Sequence, residues 1–123
     1  MLQVNETIAF GGYNSILKTK WRQGKLPTVK RGFYGEKLTQ SNLSLEHLRP
    51  HSKGGKTALD NLVLASKEKN ELRGNESIKE YAEPETVLDY LSQFIGVRIK
   101  DFNGDKYVEG VIRTLKKLGF DFR

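Results

Sequence analysis

The apolar positions change period along the chain. Over Leu43-Ser44-Leu45-Glu46-His47-Leu48 apolar and polar residues alternate, the two-residue period of a half-buried strand, and Pro50 ends it because proline cannot donate to a ladder. Ser52-Lys53-Gly54-Gly55-Lys56 carries turn chemistry and predicts a flexible loop. Leu62-Val63-Leu64-Ala65 follows as a short buried strand, and Ser66 is placed to cap a helix over 67–73 that Gly74 stops. Further on the period becomes helical. Pro84 suits a first helical position, ahead of Val87, Leu88, Leu91, Phe94 and Ile95. A second stripe runs through Val108, Val111, Ile112, Leu115 and Leu118 to Gly119, and both stripes are expected in the core.

The first 42 residues are less regular. Residues 1–14 predict an arm or loop, and a short helix starts within Ile16 to Lys20, to be ended by Gly24 and Pro27. Thr28 to Tyr34 mixes β-branched, aromatic and basic residues and predicts an extended segment. Asp101-Phe102-Asn103-Gly104-Asp105 begins like a calcium loop. Lys106 at the sixth position and Ile112 at the twelfth break that pattern, leaving a turn. No internal repeat or low-complexity segment interrupts the chain.

A length of 123 residues predicts one domain, and 37% hydrophobic with 29% charged residues is ordinary for a globular protein. No apolar run approaches a membrane span, and the N-terminus lacks the layout of a signal peptide, which predicts neither membrane insertion nor secretion. With no cysteine there is no disulfide and no Cys-based zinc or iron–sulfur site, so a metal would be held by oxygen and imidazole.

Charge changes the picture more than size does. The formal net charge is +6, and residues 1–75 hold thirteen basic against six acidic side chains, whereas residues 76–123 hold eight against nine. The densest stretch, Lys18 to Lys37, includes Lys18, Lys20, Arg22, Lys25, Lys30, Arg31 and Lys37 with Glu36 as its one acid. That asymmetry predicts a polyanionic partner, nucleic acid first, over a merely solvated basic surface. Trp21 within it is equally suited to stacking on a base and to anchoring the core.

The densest chemistry lies in the strand–loop–strand–helix segment. Glu46 and His47 end one strand, Asn61 opens the next, and Asn70 sits in the helix behind. Glu46 and Asn70 can offer hard oxygen ligands to Mg²⁺ or Mn²⁺, while His47, on the other side of the strand, can activate a water. Each has a duller alternative: Glu46 as a surface acid pairing with Arg49, His47 as a strand cap, Asn61 as a turn residue, Asn70 as a helix-surface amide.

Glu46, His47, Pro50, Gly54, Gly55, Asn61, Leu62, Val63 and Asn70 together resemble the motif of HNH endonucleases, the ββα-metal or His-Me finger family. The steps of fourteen residues from His47 to Asn61 and nine from Asn61 to Asn70 match its spacing. The likeness covers about residues 43–75. It implies an α+β fold: a small ββα-metal core flanked by an N-terminal basic segment, 1–42, and two C-terminal helices in 76–123. It implies His47 as general base, Asn61 as the residue that orients it, and Glu46 and Asn70 as ligands of one divalent cation, Mg²⁺ or Mn²⁺ ahead of Zn²⁺ or Ni²⁺. Lys53 and Arg73 become phosphate contacts beside Lys18, Lys20, Arg22, Lys30 and Arg31. His51 matches no family position and is expected on the substrate side or in solvent.

Two departures stand out. Glu46 replaces the usual Asp, one methylene longer, and the Cys pairs that clamp a structural zinc in many members are absent. The implied function is metal-dependent cleavage of DNA, with RNA as an open alternative, in the cytoplasm of a bacterial or phage-infected cell. A non-catalytic nucleic-acid-binding or nuclease-inhibitor protein on the same scaffold is the rival reading, and a protein partner stays open.

Overall fold

The computed structural model describes residues 16–122. They form an α+β protein with five helices and two small antiparallel sheets. The arm expected over 1–14 lies outside the described residues. Residues 16–22 form helix α1, and Gly24, at φ 77°, turns the chain out of it. Strands β1 (Leu43–His47) and β2 (Leu62–Ser66) pair antiparallel with Leu43 opposite Ser66 and His47 opposite Leu62. Between them lie two 3₁₀ turns, His51–Lys53 and Leu59–Asn61. Helix α2 (Lys67–Arg73) follows β2 directly, its start fixed by the Ser66 side chain accepting from the Lys69 amide and its end by Gly74 at φ 55°. This hairpin-then-helix order is the one the residue pattern predicts.

An isolated two-stranded hairpin is marginal in water, because its outer edges expose unpaired backbone groups. Here the outer edge of β2 is closed by side chains and a loop. The Leu64 amide donates to the Tyr90 hydroxyl, which donates to the Tyr107 hydroxyl, which donates to the Leu62 carbonyl. Phe33 N–H donates to the Leu64 carbonyl, and Ser66 N–H to Glu36 Oε2. β2 is consequently buried along its whole length.

The segment 28–34 is not the extended strand expected of it. Its one ladder contact is an isolated bridge between Arg31 and Lys37. Gln93 has taken the backbone groups that a partner strand would use: its Oε1 accepts from the Lys30 and Arg31 amides, and its Nε2 donates to the Arg31 carbonyl.

Helices α3 (Ile78–Tyr81), α4 (Pro84–Ser92) and α5 (Gly104–Lys117) complete the chain, with β3 (Arg98–Ile99) and β4 (Phe102–Asn103) between the last two. The turn predicted at 101–105 is this small hairpin. Asp101 sits at its tip at φ 70°, and the Asn103 side chain caps α5 by accepting from the Lys106 amide. One hydrophobic core takes side chains from Leu17 in α1 to Phe120 beyond α5. The two C-terminal stripes enter it only in part. Val87, Leu91, Phe94, Val108, Val111 and Leu115 are buried, whereas Leu88 is 48% and Ile95 60% exposed. Helical spacing sets which residues share a face, but α4 is covered over a narrower arc than the stripe, with Tyr90 filling the centre. No helix among the described residues is long and apolar enough to cross a membrane.

Candidate functional site

α2 runs back across β1, so strand alternation decides what meets it. Ser44 and Glu46, two residues apart on one face of the strand, meet the helix through Asn70 and Arg73. Asn70 reaches β1 through its amide nitrogen, 3.1 Å from Ser44 Oγ and 3.0 Å from the Leu45 carbonyl. One turn later, Arg73 Nη1 donates to Glu46 Oε2 over 2.8 Å and to the His47 carbonyl over 2.7 Å. Its Nη2 donates to the Leu48 carbonyl and its Nε to that of Glu76.

Glu46, His47, His51, Ser52, Asn70 and Arg73 line one cavity of about 250 Å³. Four of the expected site residues, Glu46, His47, Asn70 and Arg73, are thereby brought together, from a strand end and a helix face.

Glu46 is only 2% exposed, not a surface acid, and its partner is Arg73 rather than Arg49. The Tyr34 hydroxyl also donates to Glu46 Oε2. Burial pushes the Glu46 carboxyl above its ordinary range, and the hydrogen bonds from Arg73 and Tyr34 offset this only in part. Burial raises the Tyr34 phenol as well, so it remains a donor.

His47 Nε2 lies 3.0 Å from Thr57 Oγ1, and its ring centre is 5.9 Å from that of His51. Partial burial, then the nearby His51 and Arg73, lower its pKa below the ordinary 6.5. The ring is therefore neutral at pH 7 and retains a basic nitrogen.

Asn61 lies outside the cavity and acts on the connection between the strands. Its Oδ1 accepts from the Arg49 amide, and its Nδ2 donates to the Arg49 and Lys56 carbonyls. It holds the loop that carries Thr57, and through Thr57 it bears on His47.

The donor chemistry fits one hard divalent cation in part. Glu46 Oε1 and Asn70 Oδ1 have no hydrogen-bond partner among the described residues, and both residues line the cavity. Two such oxygens would supply only part of the ligand set that a hard cation such as Mg²⁺ or Mn²⁺ takes. Against this, no group of three or more His, Cys, Asp or Glu is gathered among the described residues, and Arg73 already balances the Glu46 charge.

The expected phosphate contacts divide. Arg73 is 2% exposed and fully engaged with carbonyls and Glu46, so it is a buried structural cation and not a phosphate contact. Arg31 is exposed but held by Asp89 in a bidentate pair of 2.5 and 2.9 Å, which occupies the fork a phosphate would need. Lys18 lies beside Arg22 and Lys67, and burial followed by these like charges lowers its pKa. Lys67 follows Ser66, opposite Leu43, so this cluster sits at the far end of the hairpin from His47, roughly 15 Å along β1. Lys20 is half-buried and Lys30 exposed. Trp21 is an anchor, its indole donating to the Val29 carbonyl over 2.6 Å. Lys53 is exposed beside the cavity and donates to the carbonyl of Asn75, a lining residue.

Tyr34 and Thr57 were invisible to the motif. Tyr34 comes from a loop twelve residues before Glu46, with no periodicity to aim it, and Thr57 from within the turn-rich connection. His51 had a local signal, since it follows the end of β1 in the same segment and opens the first 3₁₀ turn. No protein-family model, curated protein or solved structure matches this chain.

Proposed function

We propose that this protein is a metal-dependent phosphodiesterase of the HNH type, with a ββα-metal core, that cuts DNA in the cytoplasm of a bacterial or phage-infected cell. The observation that carries this reading is the convergence of Glu46, His47 and Asn70 on one cavity. A structural role for any one of them would not require the other two beside it. His47, neutral at pH 7, takes the proton from the attacking water, while Thr57 holds its Nε2 and fixes the ring. Asn61 keeps the connecting loop, and with it Thr57, in register. Glu46 Oε1 and Asn70 Oδ1 would hold Mg²⁺ or Mn²⁺, which when bound stabilises charge on the leaving oxygen as a Lewis acid. Arg73 keeps the Glu46 carboxylate oriented and ties α2 to the end of β1. The test is incubation with supercoiled plasmid, with and without Mg²⁺ or Mn²⁺: metal-dependent nicking supports the reading, and an inert protein at every metal concentration defeats it.

The Glu46–Arg73 pair favours a second reading. A carboxylate already balanced by a guanidinium draws a cation weakly, which suits a nucleic-acid-binding or nuclease-inhibitor protein that keeps the scaffold without the chemistry. Binding of DNA or of a nuclease with no cleavage separates this from the first.

A further inference from the structure

A second cleft of about 240 Å³ lies between the β1–β2 connection and the C-terminal half of α5. Its lining includes Arg49, Lys56 and Lys117, with one acid, Asp60. All three cations are exposed, and none takes part in an ion pair among the described residues. Lys117 at a helix C-terminus is accounted for by the helix dipole. Convergence of Arg49 and Lys56 on it is not, because like charges gathered in one cleft repel and oppose folding. The fold nonetheless fixes them there. Asn61 bonds the backbone of both Arg49 and Lys56, and Gly55 packs so tightly that a Cβ would lie 1.8 Å from the Arg49 carbonyl oxygen.

The same short loop faces both ways. Pro50, His51 and Ser52 line the Glu46–His47 cavity, whereas Arg49, Gly54, Gly55 and Lys56 line the cationic cleft. A ligand held in the cleft is therefore in fixed register with the cavity. We infer that the Arg49–Lys56–Lys117 cleft docks the phosphate backbone of duplex DNA and presents it to the His47 cavity. This assigns DNA contact to the connection and α5, beyond the N-terminal basic stretch, and rests on the proposed nuclease reading.

The experiment is fluorescence anisotropy of a labelled DNA duplex, titrated with protein in chelator across a salt series. Three proteins are compared: the parent, Lys56→Gln/Lys117→Gln, and the charge-keeping Lys56→Arg/Lys117→Arg. Each phosphate contact contributes about 0.9 to the log–log salt slope. The Gln pair should flatten the slope by roughly 1.8 and weaken binding to all sequences, while the Arg pair keeps the parent slope. If the parent binds and the Gln pair has its slope, the cleft faces solvent and the inference is overturned while the nuclease reading stands. If the Arg pair loses the slope as the Gln pair does, charge is not what the cleft supplies, and the inference again fails. A parent that binds no duplex overturns both.

Discussion

Arg73 Nη1 bonds Glu46 Oε2 and the carbonyl of the adjacent His47, at 2.8 and 2.7 Å. One guanidinium thus sets both the acid and the backbone of the base, and the pair is almost wholly buried, with side chains 1% and 2% exposed. Breaking such a pair strands a charge away from water, at a cost of about 3–5 kcal/mol. Arg73→Met should lose stability on that scale in urea unfolding. Glu46→Gln/Arg73→Met should recover part of it, since no lone charge then remains. A loss under ~1 kcal/mol for Arg73→Met would mean the pair contributes little beyond a surface bridge.

His47→Ala should leave the fold and DNA affinity close to the parent while cleavage falls by ~10²–10⁴-fold. Equal cleavage by the variant would remove His47 from the role of base.

The pH behaviour of His47 has a definite sign. Its folded pKa lies below 6.5 because burial, then His51 and Arg73, disfavour the cation. The unfolded chain then binds the proton first, so the stability held by this residue is complete above pH 6.5 and is lost as pH falls through the folded value. In metal-free protein, NMR titration of the His47 ring should give a midpoint under 6.5. Removing the neighbouring charge with His51→Gln should move it upward. A midpoint at or above 6.5 in the parent would contradict the environment described.

Glu46→Gln removes the negative charge without changing shape, and Glu46→Asp shortens the reach. If Glu46 holds the ion, Gln should raise the Mn²⁺ concentration needed for half-saturation, read by loss of the free-Mn²⁺ EPR signal, and should abolish most cleavage. Asp should retain Mn²⁺ binding. Because burial raises the Glu46 pKa, metal affinity in the parent should begin to fall at a higher pH than for an ordinary glutamate, 4.5. Equal Mn²⁺ affinity in parent and Gln variant would show that Glu46 serves Arg73 alone.

Gly55→Ala tests the loop. A Cβ there meets the Arg49 carbonyl oxygen at 1.8 Å and that of Pro50 at 2.9 Å, both backbone atoms that cannot swing aside. The loop must shift as a whole, and the His47–Thr57 contact with it. Reduced cleavage with a lowered unfolding midpoint is the expected outcome, whereas parental stability would show that the loop relaxes freely.

Local pattern was enough for β1, β2 and α2. Their limits depend on alternation, on Pro50, on the Ser66 cap and on Gly74, all of which act within a few residues. The same short range brought Glu46, His47 and Asn70 to one place, because a hairpin followed at once by a helix leaves little freedom. What each polar side chain does was decided by tertiary structure. Arg73 reads as a basic helix residue until Glu46, 27 positions away, is packed against it. Gln93 turned the 28–34 segment from a strand into a pinned loop by supplying hydrogen bonds from 62 and 63 residues along the chain. Leu88 and Ile95 belong to the helical stripe by spacing, yet Leu88 stays 48% exposed on α4 among the described residues, and Ile95, 60% exposed, falls in the turn after the helix has ended. Periodicity specifies a face; burial and ion pairing depend on what the rest of the chain brings to it.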